Sequence, residues 1–161
     1  MKRIILHWTG GKYTPSSTDF SHYHFLVDKK GDILKGNYAP EDNLNCNDGH
    51  YAAHTGGFNT GSIGLSICSM WGYKSPKYIG DYPFLRVQGE AAWSYCATLL
   101  KKYGLKPSKD TVLTHYEAGK MLPKSSSAGK IDITFIPYEP KITAQEAGDY
   151  IRNKVRWYYE R

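Results

Sequence analysis

Two histidines far apart in the chain, His7 and His115, each close a short apolar run and precede a break containing glycine. The breaks are Thr9-Gly10-Gly11 and Glu117-Ala118-Gly119. Open α/β sheets assemble their sites at strand ends, so this repetition brings His7 and His115 together. A catalytic zinc takes three protein ligands and keeps one position open for water, and two histidines with one carboxylate are among its sets. Asp132, in Gly129-Lys130-Ile131-Asp132, can supply the carboxylate. In an extended segment residues two apart share a face, so Lys130 would lie beside the metal. An ammonium there suits the oxyanion formed when a carbonyl is attacked. Taken singly, each residue has a plainer reading. A histidine at a strand end is commonly satisfied by one hydrogen bond, and Lys130 with Asp132 could be a surface ion pair.

The elements that would position these groups are legible from patterning. Arg3 to Trp8 is apolar on both alternating faces, as in a strand covered on both sides. His22 to Val27 reads as a second strand, with Asp28 to Gly31 as a turn and Asp32 to Gly36 as the return of a hairpin. Residues 37 to 61, rich in Asn, Asp and Gly, read as loop. Ser62 to Met70 alternates apolar with small residues and reads as a strand. Ala92, Cys96, Leu99, Leu100 and Tyr103 predict a helix from Gln88 to Tyr103, closed by Gly104. Thr111 to His115 is another short strand. Thr143-Ala144-Gln145-Glu146 is a capping-box pattern opening a final helix through Ala147, Ile151 and Val155, which Gly148 weakens by about 1 kcal/mol. Ser125-Ser126-Ser127 reads as exposed loop.

Other histidines are weaker candidates. His50 and His54 have the spacing of a zincin helix, but Tyr51 stands where the general-base Glu belongs and the surrounding glycines leave no room for a long helix. If Tyr23 faces the site, His22 and His24 face away on strand alternation. Trp8 and Tyr116 follow the two histidines and could stack on sugar or peptide, with core packing as the alternative. Cys46, Cys68 and Cys96 lack any C-x-x-C spacing and read as structural thiols.

At 161 residues the chain suits one domain, read as spanning 1–161. No apolar run approaches the roughly 20 residues that span a bilayer. The start lacks the apolar core of a secretory signal. A net charge of +6 implies attraction to a polyanion, but no run of Lys and Arg exceeds two residues and no basic-aromatic motif points to nucleic acid.

Five separated motifs together resemble the type-2 N-acetylmuramoyl-L-alanine amidases, the family of phage lysins and catalytic peptidoglycan recognition proteins. They are His7-Trp8-Thr9-Gly10, Tyr23-His24-Phe25-Leu26-Val27, His54-Thr55-Gly56-Gly57-Phe58-Asn59 leading to Ser62-Ile63-Gly64, Thr114-His115-Tyr116-Glu117, and Lys130-Ile131-Asp132. The resemblance covers roughly residues 3 to 135. It implies an α/β domain with a mixed sheet of about five strands, flanking helices and zinc at one edge of the sheet. It also implies His7, His115 and Asp132 as zinc ligands and Lys130 as the catalytic lysine. Tyr23 matches a tyrosine near the metal's water, while some bacterial relatives carry a glutamate where this chain has Ser66. His54 and Asn59 match positions near the substrate groove. The chain departs from the family in missing the helix that many members have between the first two strands, only Gly11 to Ser21 connecting them, and in its longer gap between His115 and Asp132. The expected protein is a monomeric phage or prophage endolysin without a separate wall-binding domain. It would be held in the host cytoplasm until released to peptidoglycan. A cytoplasmic amidase recycling anhydro-muropeptides and a non-catalytic peptidoglycan-binding module are the alternatives.

Overall fold

A computed structural model describes all 161 residues. Arg3–Trp8 forms strand β1, buried on both faces from Ile4 onward. It lies between β4 (Ser62–Ile67) and β5 (Val112–Thr114), parallel to both. β4 pairs in parallel with β2 (Phe25–Val27), and β3 (Ile33–Lys35) runs antiparallel to β2. The order β3-β2-β4-β1-β5 makes the mixed five-stranded sheet that the family resemblance implied.

One face of this sheet carries the main core. Ile4, Leu6, Trp8, Leu65 and Val112 pack against Trp93, Cys96 and Leu100 of α2 (Arg86–Lys102) and against Ile151 and Val155 of α4 (Ala144–Tyr159). The alternate residues of β1, Ile5 and His7, point the other way. That second face is covered by α3 (His115–Met121) and by the 37–61 segment with its 3-10 turn, Pro40–Leu44. Both layers are needed to dry the inner strands, and the second one carries the polar groups.

Two short helices differ from the sequence reading. Ser17–His22 forms α1, capped by Ser16 and Asp19, so a helix of six residues does stand between β1 and β2. The second strand therefore begins at Phe25 rather than His22. β4 stops at Ile67 rather than Met70, and Met70 adopts φ 75°, outside the strand region. After β5 the chain enters α3 at once. Thr114 accepts from the Glu117 backbone N–H and Glu117 accepts from the Thr114 N–H, both at 3.1 Å. His115 is thus the first residue of a capped helix.

A buried arginine ties α4 to this cap. Arg152 donates through both terminal nitrogens to the two Glu117 oxygens at 2.8 Å, and also to the Val112 carbonyl at 3.0 Å and Asp149 at 2.9 Å. Gly148, a weak residue for a helix interior, sits where a Cβ would collide with the Glu117 carboxylate. The glycine lets α4 approach the cap. No helix is long and apolar enough to cross a membrane.

Candidate metal centre

His7 is the penultimate residue of β1 and His115 the first after β5, the strand beside it. The chain leaves β1 for β2 on one side of it and later reaches β5 on the other, so the sheet order diverges about β1. Crevices at such switch points are where open sheets bind ligands. Asp132 arrives from the loop after α3. Ile133, next to it, holds φ 65°, a left-handed conformation that costs a β-branched residue about 1–3 kcal/mol. Thr134 closes the turn on the Ile131 carbonyl through its N–H at 3.2 Å and its hydroxyl at 2.7 Å. The reversal sends Ile133 into the core and leaves Asp132 facing the histidines.

The three groups converge. His7 Nδ1 lies 3.1 Å from His115 Nδ1 and 3.2 Å from Asp132 Oδ2, and His115 Nδ1 lies 3.3 Å from the same oxygen. Tetrahedral zinc with bonds of about 2.0–2.1 Å separates adjacent ligand atoms by about 3.3 Å. Donor type and spacing both fit that ion. Burial lowers the His7 pKa to about 4, so its imidazole is neutral at neutral pH. Burial alone would raise the Asp132 carboxyl, but the contacts with His115 and His7 outweigh it and hold the group below the usual carboxylate range. Two buried imidazoles and one carboxylate make a cluster suited to a divalent cation.

The cluster opens on a cleft of about 690 Å³. Its lining includes Trp8, Tyr23, His54, Asn59, Lys130 and Asp132, with His115 at its floor. His7 is fully buried behind them. Tyr23 places its ring 5.1 Å from that of His7. Burial and then the Asp132 charge push its hydroxyl well above the usual phenol range, which keeps it a neutral donor. Lys130 is exposed and shares the cleft wall with Asp132, the juxtaposition expected from their spacing.

Trp8, His54 and Asn59 line the cleft, and each also makes contacts inside the protein. His54 is only 6% exposed, and both its ring nitrogens are occupied inside the protein. Its ring rests on Gly64, where any Cβ would overlap it. Asn59 Oδ1 accepts from the backbone N–H groups of His54 and Thr55 at 3.0 and 2.8 Å, bracing the loop. Trp8 meets Tyr73 edge-on at 5.0 Å and is 6% exposed, so most of it is core. His22 lines the cleft although alternation placed it on the far side, because it ends a helix rather than lying in a strand. His24 is likewise buried against His54. His50 is exposed and remote from the cluster's contacts. Ser127, expected in an exposed loop, is fully buried and touches His115 at 3.1 Å. No spacing rule singles out a serine in a serine run. The three cysteines are free, with Cys68 and Cys96 buried.

Comparison with curated proteins gives no match. Among solved structures, the Staphylococcus aureus hydrolase AmiA, determined with its ligand, aligns with a TM-score of 0.61 at 19% identity, over 98% of this chain and 72% of that one. A mutant of PlyL aligns at 0.54 and 21% identity, over 96% and 84%. The N-acetylmuramyl-L-alanine amidase AmiD from E. coli, in complex with the substrate anhydro-N-acetylmuramic acid-L-Ala-D-gamma-Glu-L-Lys, aligns at 0.53 and 20%, over 74% and 50%. At such identities the likeness is one of fold. The sequence itself goes further, because a family model described as N-acetylmuramoyl-L-alanine amidase matches residues 1–130. That stretch holds His7, His115 and Lys130 and takes in most of the chain, which therefore belongs to the N-acetylmuramoyl-L-alanine amidase family.

Proposed function

We propose that this chain is a zinc-dependent hydrolase of the amide between the lactyl group of N-acetylmuramic acid and L-alanine in bacterial peptidoglycan. The observation carrying this reading is the convergence of His7 Nδ1, His115 Nδ1 and Asp132 Oδ2 to within 3.1–3.3 Å at the base of an open cleft. The cleft volume of about 690 Å³ lies within the range that takes a small ligand.

His7, His115 and Asp132 would hold the ion. Zinc bound there supplies a Lewis acid and brings the pKa of water toward 7. Tyr23, a neutral phenol beside His7, donates a hydrogen bond that orients the attacking water or the tetrahedral oxygen. Lys130 presents its ammonium to the carbonyl oxygen as negative charge develops on it. Ser66 pairs with His7 across the strands and carries no acid that could act as base, and Tyr23, held neutral by burial, acts as a hydrogen-bond donor only. Along the cleft, the edge of Trp8 and the amide of Asn59 offer surface to the sugar and the peptide, and His54 shapes the floor.

We assign the activity to lysis, as a phage or prophage endolysin, because a net charge of +6 favours adhesion to anionic envelope polymers. The test removes zinc with a chelator, restores it, and measures free L-alanine amino termini released from purified sacculi and from soluble anhydro-muropeptides. Zinc-dependent release from sacculi is expected. Release from soluble fragments alone would assign the chain to recycling, and zinc binding without release from either would leave a binding module.

A further inference from the structure

The contacts of the two ligand histidines continue beyond the cluster. His7 Nε2 lies 3.2 Å from His54 Nδ1, and His115 Nε2 lies 3.1 Å from Ser127 Oγ. Each path runs on to a backbone carbonyl, which can only accept, and that sets the direction of both. His54 Nε2 is 3.2 Å from the Ser62 carbonyl oxygen, so it carries the ring proton and leaves Nδ1 bare. A bare His7 Nε2 facing that atom would set lone pair against lone pair. The Thr55 hydroxyl, 2.7 Å from His54 Nδ1 and 3.3 Å from His7 Nε2, has one proton and cannot satisfy both. His7 therefore carries its proton on Nε2. On the other side, Ser127 Oγ donates to the Gly56 carbonyl at 2.8 Å and so accepts from His115 Nε2. Both Nδ1 atoms are then bare, and they face each other and the Asp132 carboxylate, three acceptors that a cation among them reconciles.

We propose that His54 and Ser127 are positioning residues that lock His7 and His115 in the tautomer presenting bare Nδ1 atoms to the metal. His54 comes from the turn before β4 and Ser127 from the long segment between α3 and Asp132. That segment, which separates the second ligand from the third, thus reaches back to hold the second. Ser127 is itself fixed by the Ser125 hydroxyl, which accepts from its N–H at 3.1 Å. Partners of this kind orient the ligating ring and raise its basicity, and their loss costs about 10- to 100-fold in metal affinity.

The inference rests on the ligand set proposed above, and its test reads metal affinity and tautomer rather than activity. Zinc dissociation constants are measured against a competing chromogenic chelator for the wild type, Ser127→Ala and His54→Phe, the last keeping a ring on Gly64. Histidine tautomers are read from long-range 15N–1H correlations of the zinc-loaded proteins. In the wild type, His7 and His115 are expected as Nε2–H tautomers. Ser127→Ala is expected to weaken zinc binding by about 10-fold or more and to shift the ring-nitrogen signals of His115 alone. His54→Phe is expected to do the same to His7. Unchanged affinity in folded variants, or Nδ1–H tautomers in the wild type, would overturn the proposal while leaving the ligand set standing. A wild type that binds no zinc would overturn both. Should His54→Phe not fold, Ser127→Ala decides alone.

Discussion

Lys130 and Tyr23 flank the cluster without belonging to it, and this separates their expected phenotypes from those of the ligands. Lys130→Ala should keep its zinc and lose about 10²- to 10³-fold in kcat, the usual cost of removing one donor to a developing oxyanion. Zinc content and steady-state kinetics on a soluble muropeptide check this, and loss of the metal would place Lys130 in the coordination shell instead. His7, His115, Asp132 and Lys130 stood out in the sequence through the motifs that resemble the amidase family, since strand ends and an i, i+2 spacing alone left a plainer reading open for each. The roles of His54 and Ser127 did not. Their work lies in hydrogen bonds between segments distant in sequence, 47 residues apart for His7 and His54 and 12 for His115 and Ser127. Asn59 shows the same limit, since its residue type fits both a loop brace and a substrate contact.

At the scale of elements, the site depends on a capped helix and the arginine that clamps it. Arg152→Ala strands the partly buried Glu117 carboxylate and frees the Thr114 to Glu117 turn that aims His115. It should cost about 3 kcal/mol, the lower end for breaking a buried pair, read as a fall in the urea midpoint. A change under about 0.5 kcal/mol would show the pair to be dispensable. A second element-scale prediction concerns His24, which joins the 37–61 segment to the sheet. Its Nε2 lies 2.8 Å from Asn43 Oδ1 and its Nδ1 accepts from the Gly64 N–H at 2.9 Å. Burial lowers its pKa from 6.5 to about 4. Between those values the unfolded chain binds a proton that the folded chain refuses, so stability falls as pH drops from 6.5 to 4, by up to about 3 kcal/mol. Urea unfolding across that window should show a shallower decline in His24→Gln than in the wild type, and parallel declines would contradict the assignment. The helix α3 escaped the sequence reading although Thr114 and Glu117 carry a capping-box spacing. Seven residues are too few for helical periodicity to outweigh the preceding strand signal. The six residues of α1 escaped for the same reason, while α2 and α4, at 17 and 16 residues, were plain from their apolar spacing.

For the whole molecule, the five strands and the two long helices were visible in the sequence, whereas the order of the strands in the sheet was not. The sequence also hid how much polar structure the second layer holds. The basic surface is spread over the chain, so its effect should be collective. Lysis of sacculi-bearing cells should fall steeply as salt rises past about 0.15 M, where the screening length is about 8 Å. Turbidity clearance at graded ionic strength checks this, and salt-independent clearance would remove the charge argument for an endolysin. The central claim is that one cluster both holds zinc and cuts the amide. It is tested most directly by measuring release of L-alanine amino termini from purified peptidoglycan by the wild type and by His115→Ala, each with its zinc content determined. The account requires release by a zinc-bearing wild type and loss of both metal and release in the variant. A variant that releases L-alanine amino termini without zinc, or a zinc-loaded wild type that releases none, would contradict it.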